Sequence, residues 1–213
     1  MRIAVLGATG TAGSAIVSEA LDRGHHLTAL ARRPAPARPG VRLTVRAVDA
    51  ADPAALGPAL ADVDAAVLTI RLAPGDESRL APLTRTFLDV AQRHGTRVLV
   101  VGGAAPLRSP DRPGRLLIDD PVRVPAAWRE VARASLAQFH ACHEHSYGDW
   151  VYLSPPAILE PGDRSGRYRR GTDTLLVDDD GTSRITAPDL AIAVVDELEM
   201  PGPDRHFTIA AAV

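Results

Sequence analysis

The sequence predicts an α/β fold of the doubly wound kind, a mostly parallel sheet with helices on both faces. Two observations carry that reading. Short aliphatic runs alternate with longer amphipathic ones through the first hundred residues, which is the signature of strand–helix units wound into a parallel sheet. The first of these runs, Ile3-Ala4-Val5-Leu6, ends in a glycine-rich turn that opens a helix.

Taken in order, Ile3 to Leu6 is an apolar run bounded by glycine and reads as a buried strand. Ser14 to Arg23 reads as a helix, with Ala15, Ile16, Ala20 and Leu21 on one face and Gly24 as its stop. Leu27 to Ala31 is a second strand, followed by a Pro/Ala/Arg loop over 32–40; Val41 to Val48 is a third. Pro53 to Leu60 is a short helix with proline at its start, Ala65 to Ile70 a strand, and Glu77 to His94 a long helix closed by Gly95. Val98 to Val101 is the fifth strand.

The second half is less regular. Residues 104–125 are rich in Pro, Arg and Asp and read as a long loop, a candidate lid or mobile segment. Ala126 to His145 is a helix and Trp150 to Leu153 a strand stopped by Ser154-Pro155-Pro156. Arg167 to Val177 and Ser183 to Thr186 read as short strands around the acidic turn Asp178-Asp179-Asp180-Gly181. Pro188 to Leu198 is a last helix and His206 to Ile209 a last strand. No linker divides the chain, so residues 1–213 read as one domain.

Composition removes whole classes of chemistry. All 24 basic residues are Arg, for the 213-residue chain has no Lys, and it has no Asn either. That excludes a Schiff-base lysine, a Walker-type phosphate lysine and a Tyr–Lys catalytic pair. A formal net charge of −2 offers no footprint for nucleic acid. The lone cysteine, Cys142, forms no internal disulfide or zinc cage, which points to a reducing cytoplasm. No apolar run reaches membrane-spanning length, and the N-terminus reads as free of a targeting signal.

The turn Gly7-Ala8-Thr9-Gly10-Thr11-Ala12-Gly13 sits between the first strand and the first helix. A pyrophosphate docks on backbone N–H groups at a helix N-terminus, and side chains must be absent where it approaches. Gly7 suits the tight turn, Gly10 the close approach, and Gly13 the packing of helix on strand; the competing reading is a purely structural glycine turn. A dinucleotide with a free ribose 2′-hydroxyl calls for an acid at the end of the second strand. This strand ends in Arg32-Arg33, with no acid before Asp49. Guanidinium groups grip a 2′-phosphate, so NADP is favoured over NAD unless these are ordinary solvated arginines. Asp49 and Ala50 close the third strand at the adenine edge, where Asp49 either accepts from the adenine amino group or caps the turn before Pro53.

With these motifs the sequence resembles the atypical short-chain dehydrogenase/reductases of the NAD(P)H-binding, NmrA-like group. It is most similar to the small NADH-flavin reductases and biliverdin-reductase-B-like proteins. The carriers are GATGTAG at 7–13, Arg32, VDAAD at 48–52, VVGGA at 100–104, WVYLSPP at 150–156 and SRITAPDLA at 183–191. The resemblance implies an NAD(P)-binding Rossmann fold with NADPH across the strand C-termini. It also implies that Thr69, Ile70, Gly102, Gly103 and Pro155 line the nicotinamide half, and that a small C-terminal extension from about residue 150 forms the acceptor side.

Two departures shape the expected chemistry. Ala105-Pro106-Leu107 stands where many family members carry a Ser, and no Tyr is followed four residues later by Lys. On the helix after the long loop, Trp128-Arg129 stands where a catalytic Tyr would fall. A Ser-Tyr-Lys mechanism therefore does not carry over, and the catalytic residues are left open. Carbonyl reduction needs a positioned acid, worth on the order of 10² to 10⁴-fold; a flavin or quinone ring spreads the charge and takes its proton from solvent. The expected function is hydride transfer from NADPH to a flavin- or quinone-like small-molecule acceptor, by a monomer or homodimer with no nucleic-acid or membrane partner. A non-catalytic NADP-binding redox sensor is the alternative, and a nucleotide-sugar epimerase-like isomerase is third.

Three further clusters have bland readings beside functional ones. His140, Cys142, His143 and His145 fall at a helix C-terminus, where histidine meets the helix dipole; no metal site is assigned to them. The run Arg164 to Arg170 reads as a solvated loop rather than a phosphate grip. Asp178-Asp179-Asp180 lacks the continuation of a calcium loop.

Overall fold

The structure, a computed structural model, describes residues 1–34, 42–112 and 114–212. The loop expected at 32–40 lies, from residue 35 on, outside the described residues, as does Val41. Among the described residues ten strands and five α-helices occur, beginning with β1 (Arg2–Leu6), α1 (Thr11–Asp22), β2 (His26–Ala31), β3 (Leu43–Ala47), α2 (Pro53–Leu60), β4 (Ala65–Leu68), α3 (Leu80–His94) and β5 (Arg97–Val101). The chain continues through α4 (Arg129–Glu144), β6 (Trp150–Ser154), β7 (Ile158–Glu160), β8 (Tyr168–Gly171), β9 (Arg184–Thr186), α5 (Ala187–Glu199) and β10 (His206–Ala211).

Eight strands form the central sheet in the order β3-β2-β1-β4-β5-β6-β10-β8. All its pairs are parallel except β10 with β8. The strand order reverses between β1 and β4, so a crevice opens there outside the strand C-termini, the place where ligands of such sheets bind. Alternate residues of the buried strands feed two cores. Ile3, Val5, Val67, Leu99, Val151 and Phe207 pack toward α1 and α5, while Ala4, Leu6, Leu68, Val100 and Tyr152 pack toward α2, α3 and α4. Period-two burial on both faces is what a covered parallel sheet demands.

Local chemistry sets the helix ends. The Asp52 side chain accepts from Ala54 N–H (2.9 Å) and Ala55 N–H (3.3 Å) ahead of Pro53, and Thr186 accepts from Asp189 N–H (3.3 Å) to open α5. Gly95, at φ +64°, closes α3 in the left-handed conformation. The two long helices begin later than the sequence suggests. Glu77–Arg79 and Ala126–Trp128 are single 3₁₀ turns that lead into α3 and α4, a common way to tighten a helix start.

Several expectations for the second half are corrected. The segments at 167–177 and 183–186 do not pair with each other: β8 pairs antiparallel with β10, and β9 pairs parallel with β7, which the sequence reading missed. The acidic stretch is a turn, closed by Gly181 N–H on Asp178 O at 2.8 Å, but the strands it was expected to join belong to different sheets. The 104–125 loop carries its own small core, with Leu107, Leu117 and Val124 buried against Leu175. Arg108 pairs with Asp173 at 2.9 Å, and Arg123 donates to Gly181 O and Asp111, both at 2.7 Å. These contacts hold the described part of the loop against residues 173–181. The basic run is likewise mostly committed: Arg164 pairs with Glu19, Arg169 with Asp178 and Arg170 with Glu197.

Candidate dinucleotide site

The site begins at the turn after β1. Gly7, at φ +97°, holds a conformation open to glycine, and its N–H shares the Leu30 carbonyl with the Ala8 N–H (2.9 and 3.2 Å). A methyl group at Gly7 would overlap the Thr69 carbonyl, and one at Gly13 would overlap the Gly7 carbonyl. The fold itself therefore requires both glycines. Gly10 differs. It has φ −79°, and a methyl group there would meet nothing nearer than the Gly7 carbonyl at 3.4 Å, an ordinary contact. Among the described residues no neighbour requires a glycine at position 10, and the space beside it is open to a group that lies against the turn.

Such a group would find donors. Gly10 N–H bonds Gly7 O at 3.0 Å and Ser14 N–H bonds Gly10 O at 2.9 Å, so the turn's own amides are spent on either side. Those of Thr11, Ala12 and Gly13 open the helix, where no intrahelical partner exists. The first turn of α1 has no acidic residue and Gly10 provides no side-chain cap, so the positive end of the helix dipole is uncompensated by the chain. Thr9 and Thr11 are exposed beside it. These residues fit the pyrophosphate of a dinucleotide.

Arg32 and Arg33 follow β2 immediately and are exposed, and among the described residues neither forms an ion pair with a carboxylate. Asp49 is exposed and accepts the Ala51 N–H at 2.9 Å, a local turn; the helix cap is Asp52, not Asp49. Ala50 is buried beneath it. Of the two readings of Asp49, the cap on the turn before Pro53 is formed, through one carboxylate oxygen.

On the other side of the crevice, β4 ends at Leu68, so Thr69 and Ile70 lie just past the strand, both half-buried, with Thr69 N–H on Leu6 O at 2.9 Å. Gly102 and Gly103 follow β5, and each has a packing reason to be glycine. A methyl at Gly102 would strike the Tyr152 phenol, and one at Gly103 would lie 2.7 Å from Ser135 Oγ. Pro155 is buried directly after β6. All five residues expected from the family resemblance therefore stand at the C-terminal ends of β4, β5 and β6.

The three tyrosine hydroxyls are engaged elsewhere. Tyr147 donates to Thr96 O (2.9 Å), Tyr168 to Asp196 (2.8 Å), and Tyr152, wholly buried, to Ser135 O (3.2 Å). Burial raises the Tyr152 phenol well above its ordinary range. Missed from the sequence is the partner of Trp128: Arg71, just past β4, lies 5.7 Å from the centre of its ring. No local pattern announces a pair 57 residues apart in sequence.

Three histidines are held by neighbours at the end of α4 and on β10. His145 Nδ1 accepts from Tyr147 N–H (3.0 Å) at the end of α4, and His143 meets Phe139 and Trp150 edge-to-face. His206 Nε2 lies 2.9 Å from the buried Ser154 Oγ, between the rings of Phe139 and Tyr152. Desolvation there, helped by His143 and opposed by Asp173, lowers its pKa from 6.5 to about 4. The unfolded chain takes up this proton below pH 6.5 and the folded one only near pH 4. Stability is therefore fully present above 6.5 and falls as the pH drops from 6.5 toward 4. Between pH 7 and pH 5 the loss is expected to be about 2 kcal/mol by urea unfolding, and His206→Gln is expected to flatten that slope.

Comparison with known proteins agrees with this geometry. The model of the NAD(P)H-binding family matches residues 7–201. The uncharacterized protein YwnB of Bacillus subtilis (strain 168) is 32% identical, with 99% of each chain covered. A Bacteroides thetaiotaomicron structure provisionally named an epimerase is 33% identical, TM-score 0.89, covering 100% of this chain and 97% of its own. A Streptococcus pneumoniae structure provisionally named an NADH-flavin reductase is 26% identical, TM-score 0.87, covering 100% of both chains. Among the described residues no helix is long and apolar enough to cross a membrane. A doubly wound sheet, a glycine turn with open helix amides and a match over almost the whole length meet in one conclusion: the chain belongs to the NAD(P)H-binding family, with an atypical short-chain dehydrogenase/reductase fold.

Proposed function

We propose that the protein is an NADPH-dependent oxidoreductase whose acceptor is a small flavin- or quinone-like ring, and that it works without a Ser-Tyr-Lys triad. The observation that carries the reading is that all three tyrosine hydroxyls donate to acceptors within the protein, in a chain that has no lysine. When bound, NADPH supplies a hydride at its nicotinamide ring.

The residues of this chain act by holding and orienting. The amides of Thr11, Ala12 and Gly13 receive the pyrophosphate, with Gly7 and Gly13 shaping the turn, Gly10 leaving space, and Thr9 alongside. Arg32, supported by Arg33, receives the 2′-phosphate, and Asp49 with Ala50 borders the adenine. Thr69, Ile70, Gly102, Gly103 and Pro155 border the nicotinamide half and present backbone and apolar surface. Proximity and orientation then supply most of the rate, and the proton that accompanies the hydride onto the acceptor comes from solvent. On this reading the protein is a monomer or homodimer in the cytoplasm and acts on a small molecule.

The test follows nicotinamide absorbance with flavin mononucleotide and with a naphthoquinone as acceptors. Oxidation of NADPH dependent on protein and acceptor is expected. Tight NADPH binding with no oxidation by any flavin or quinone would overturn the enzyme reading in favour of an NADP-binding sensor.

A further inference from the structure

Trp128 is 54% exposed, unusual for the largest apolar side chain. It ends the 3₁₀ turn that opens α4, and α4 follows β5, so this turn stands at the C-terminal edge of the sheet. Arg71 stands at the same edge, one residue beyond Ile70, and its guanidinium lies 5.7 Å from the Trp128 ring centre. Among the described residues Arg71 pairs with no carboxylate, unlike most arginines of the second half. Val131, one turn further along α4, is 36% exposed and extends the apolar surface. An open indole and a cation with no carboxylate partner among the described residues therefore meet next to Ile70, beside the nicotinamide half of the crevice.

We infer that Trp128 and Arg71 select the acceptor: a planar aromatic ring that carries an anionic group, the ring stacking on the indole and the anion pairing with the guanidinium. The inference rests on the proposed function for the position of the acceptor, and deepens it by naming the acceptor class and the residues that read it. Indole faces reward stacking beyond simple area burial, and a guanidinium forks onto phosphate or sulfonate oxygens. Arg71 covers part of the indole, and the exposed remainder leaves room for a ring.

The test is a binding measurement, so it does not depend on turnover. Flavin mononucleotide and riboflavin, which lacks the phosphate, are titrated by flavin fluorescence into protein saturated with NADP⁺; a naphthoquinone and its sulfonate, followed by tryptophan fluorescence, repeat the comparison. The anionic member of each pair is expected to bind about tenfold tighter. Trp128→Ala is expected to weaken both members about tenfold, with Trp128→Phe restoring most of the loss. Arg71→Ala is expected to erase the difference within each pair and leave riboflavin unchanged. Affinity for NADPH should stay within about twofold in all three variants. No preference for the anionic member, or variants that bind both pairs as the parent does, overturns the inference. Turnover with that result would leave the oxidoreductase reading standing; binding as expected without turnover would remove the enzyme reading and keep the site.

Discussion

Replacing Gly10 by alanine is expected to leave the fold standing and to remove NADP binding. The backbone at position 10, φ −79° and ψ 170°, suits any residue, and the added methyl would meet only the Gly7 carbonyl at 3.4 Å. At a helix N-cap the exchange costs no more than about 1 kcal/mol, part of it offset by the stiffer unfolded chain. The same methyl stands where a pyrophosphate must approach the amides of Thr11, Ala12 and Gly13. A loss of at least about 100-fold in NADPH affinity is expected, close to 3 kcal/mol. Gly13→Ala is the control with the opposite signature, since its methyl overlaps the Gly7 carbonyl and the variant should fail first in thermal unfolding. If Gly10→Ala binds NADPH like the parent, the turn is structural and the cofactor lies elsewhere.

Arg32→Ala is expected to weaken NADPH about 10- to 100-fold and NADH by less than about twofold, as read by titration of each reduced cofactor. The reason is that Arg32, exposed at the end of β2, pairs with no carboxylate among the described residues and so is available to a 2′-phosphate. Arg33→Ala should show the same direction with a smaller loss. Equal losses for both cofactors would mean that Arg32 touches something the two share, and the assignment of NADPH would fall.

The extent to which this molecule was legible in its residues follows the range of the interactions. The helices α2 and α5 and strands β1, β2 and β5 were recovered nearly whole, because caps such as Asp52 and Pro53 and runs such as Val98 to Val101 act within a few residues. Missed were β7 and the partners of β8 and β9, three- and four-residue strands whose pairing is set by the sheet they join rather than by their own pattern. The 104–125 segment read as a mobile loop because its apolar residues are sparse in sequence; their burial depends on Leu175, about fifty residues later.

Residue identity alone determined which chemistry is available. A chain with no lysine has no side-chain ammonium to lower a phenol's pKa, and a glycine-rich turn between strand and helix has the shape that a phosphate needs. Its local grammar also announced the doubly wound sheet. Three-dimensional proximity decided the rest: that Gly7 and Gly13 are fixed by packing while Gly10 has room for a side chain, that no tyrosine hydroxyl is free, and that Arg71 meets Trp128 at the crevice edge. The division has one physical cause. Backbone preference and charge inventory belong to single residues and short spans, whereas steric room, buried hydrogen bonds and stacking belong to pairs of atoms that only the folded chain brings together.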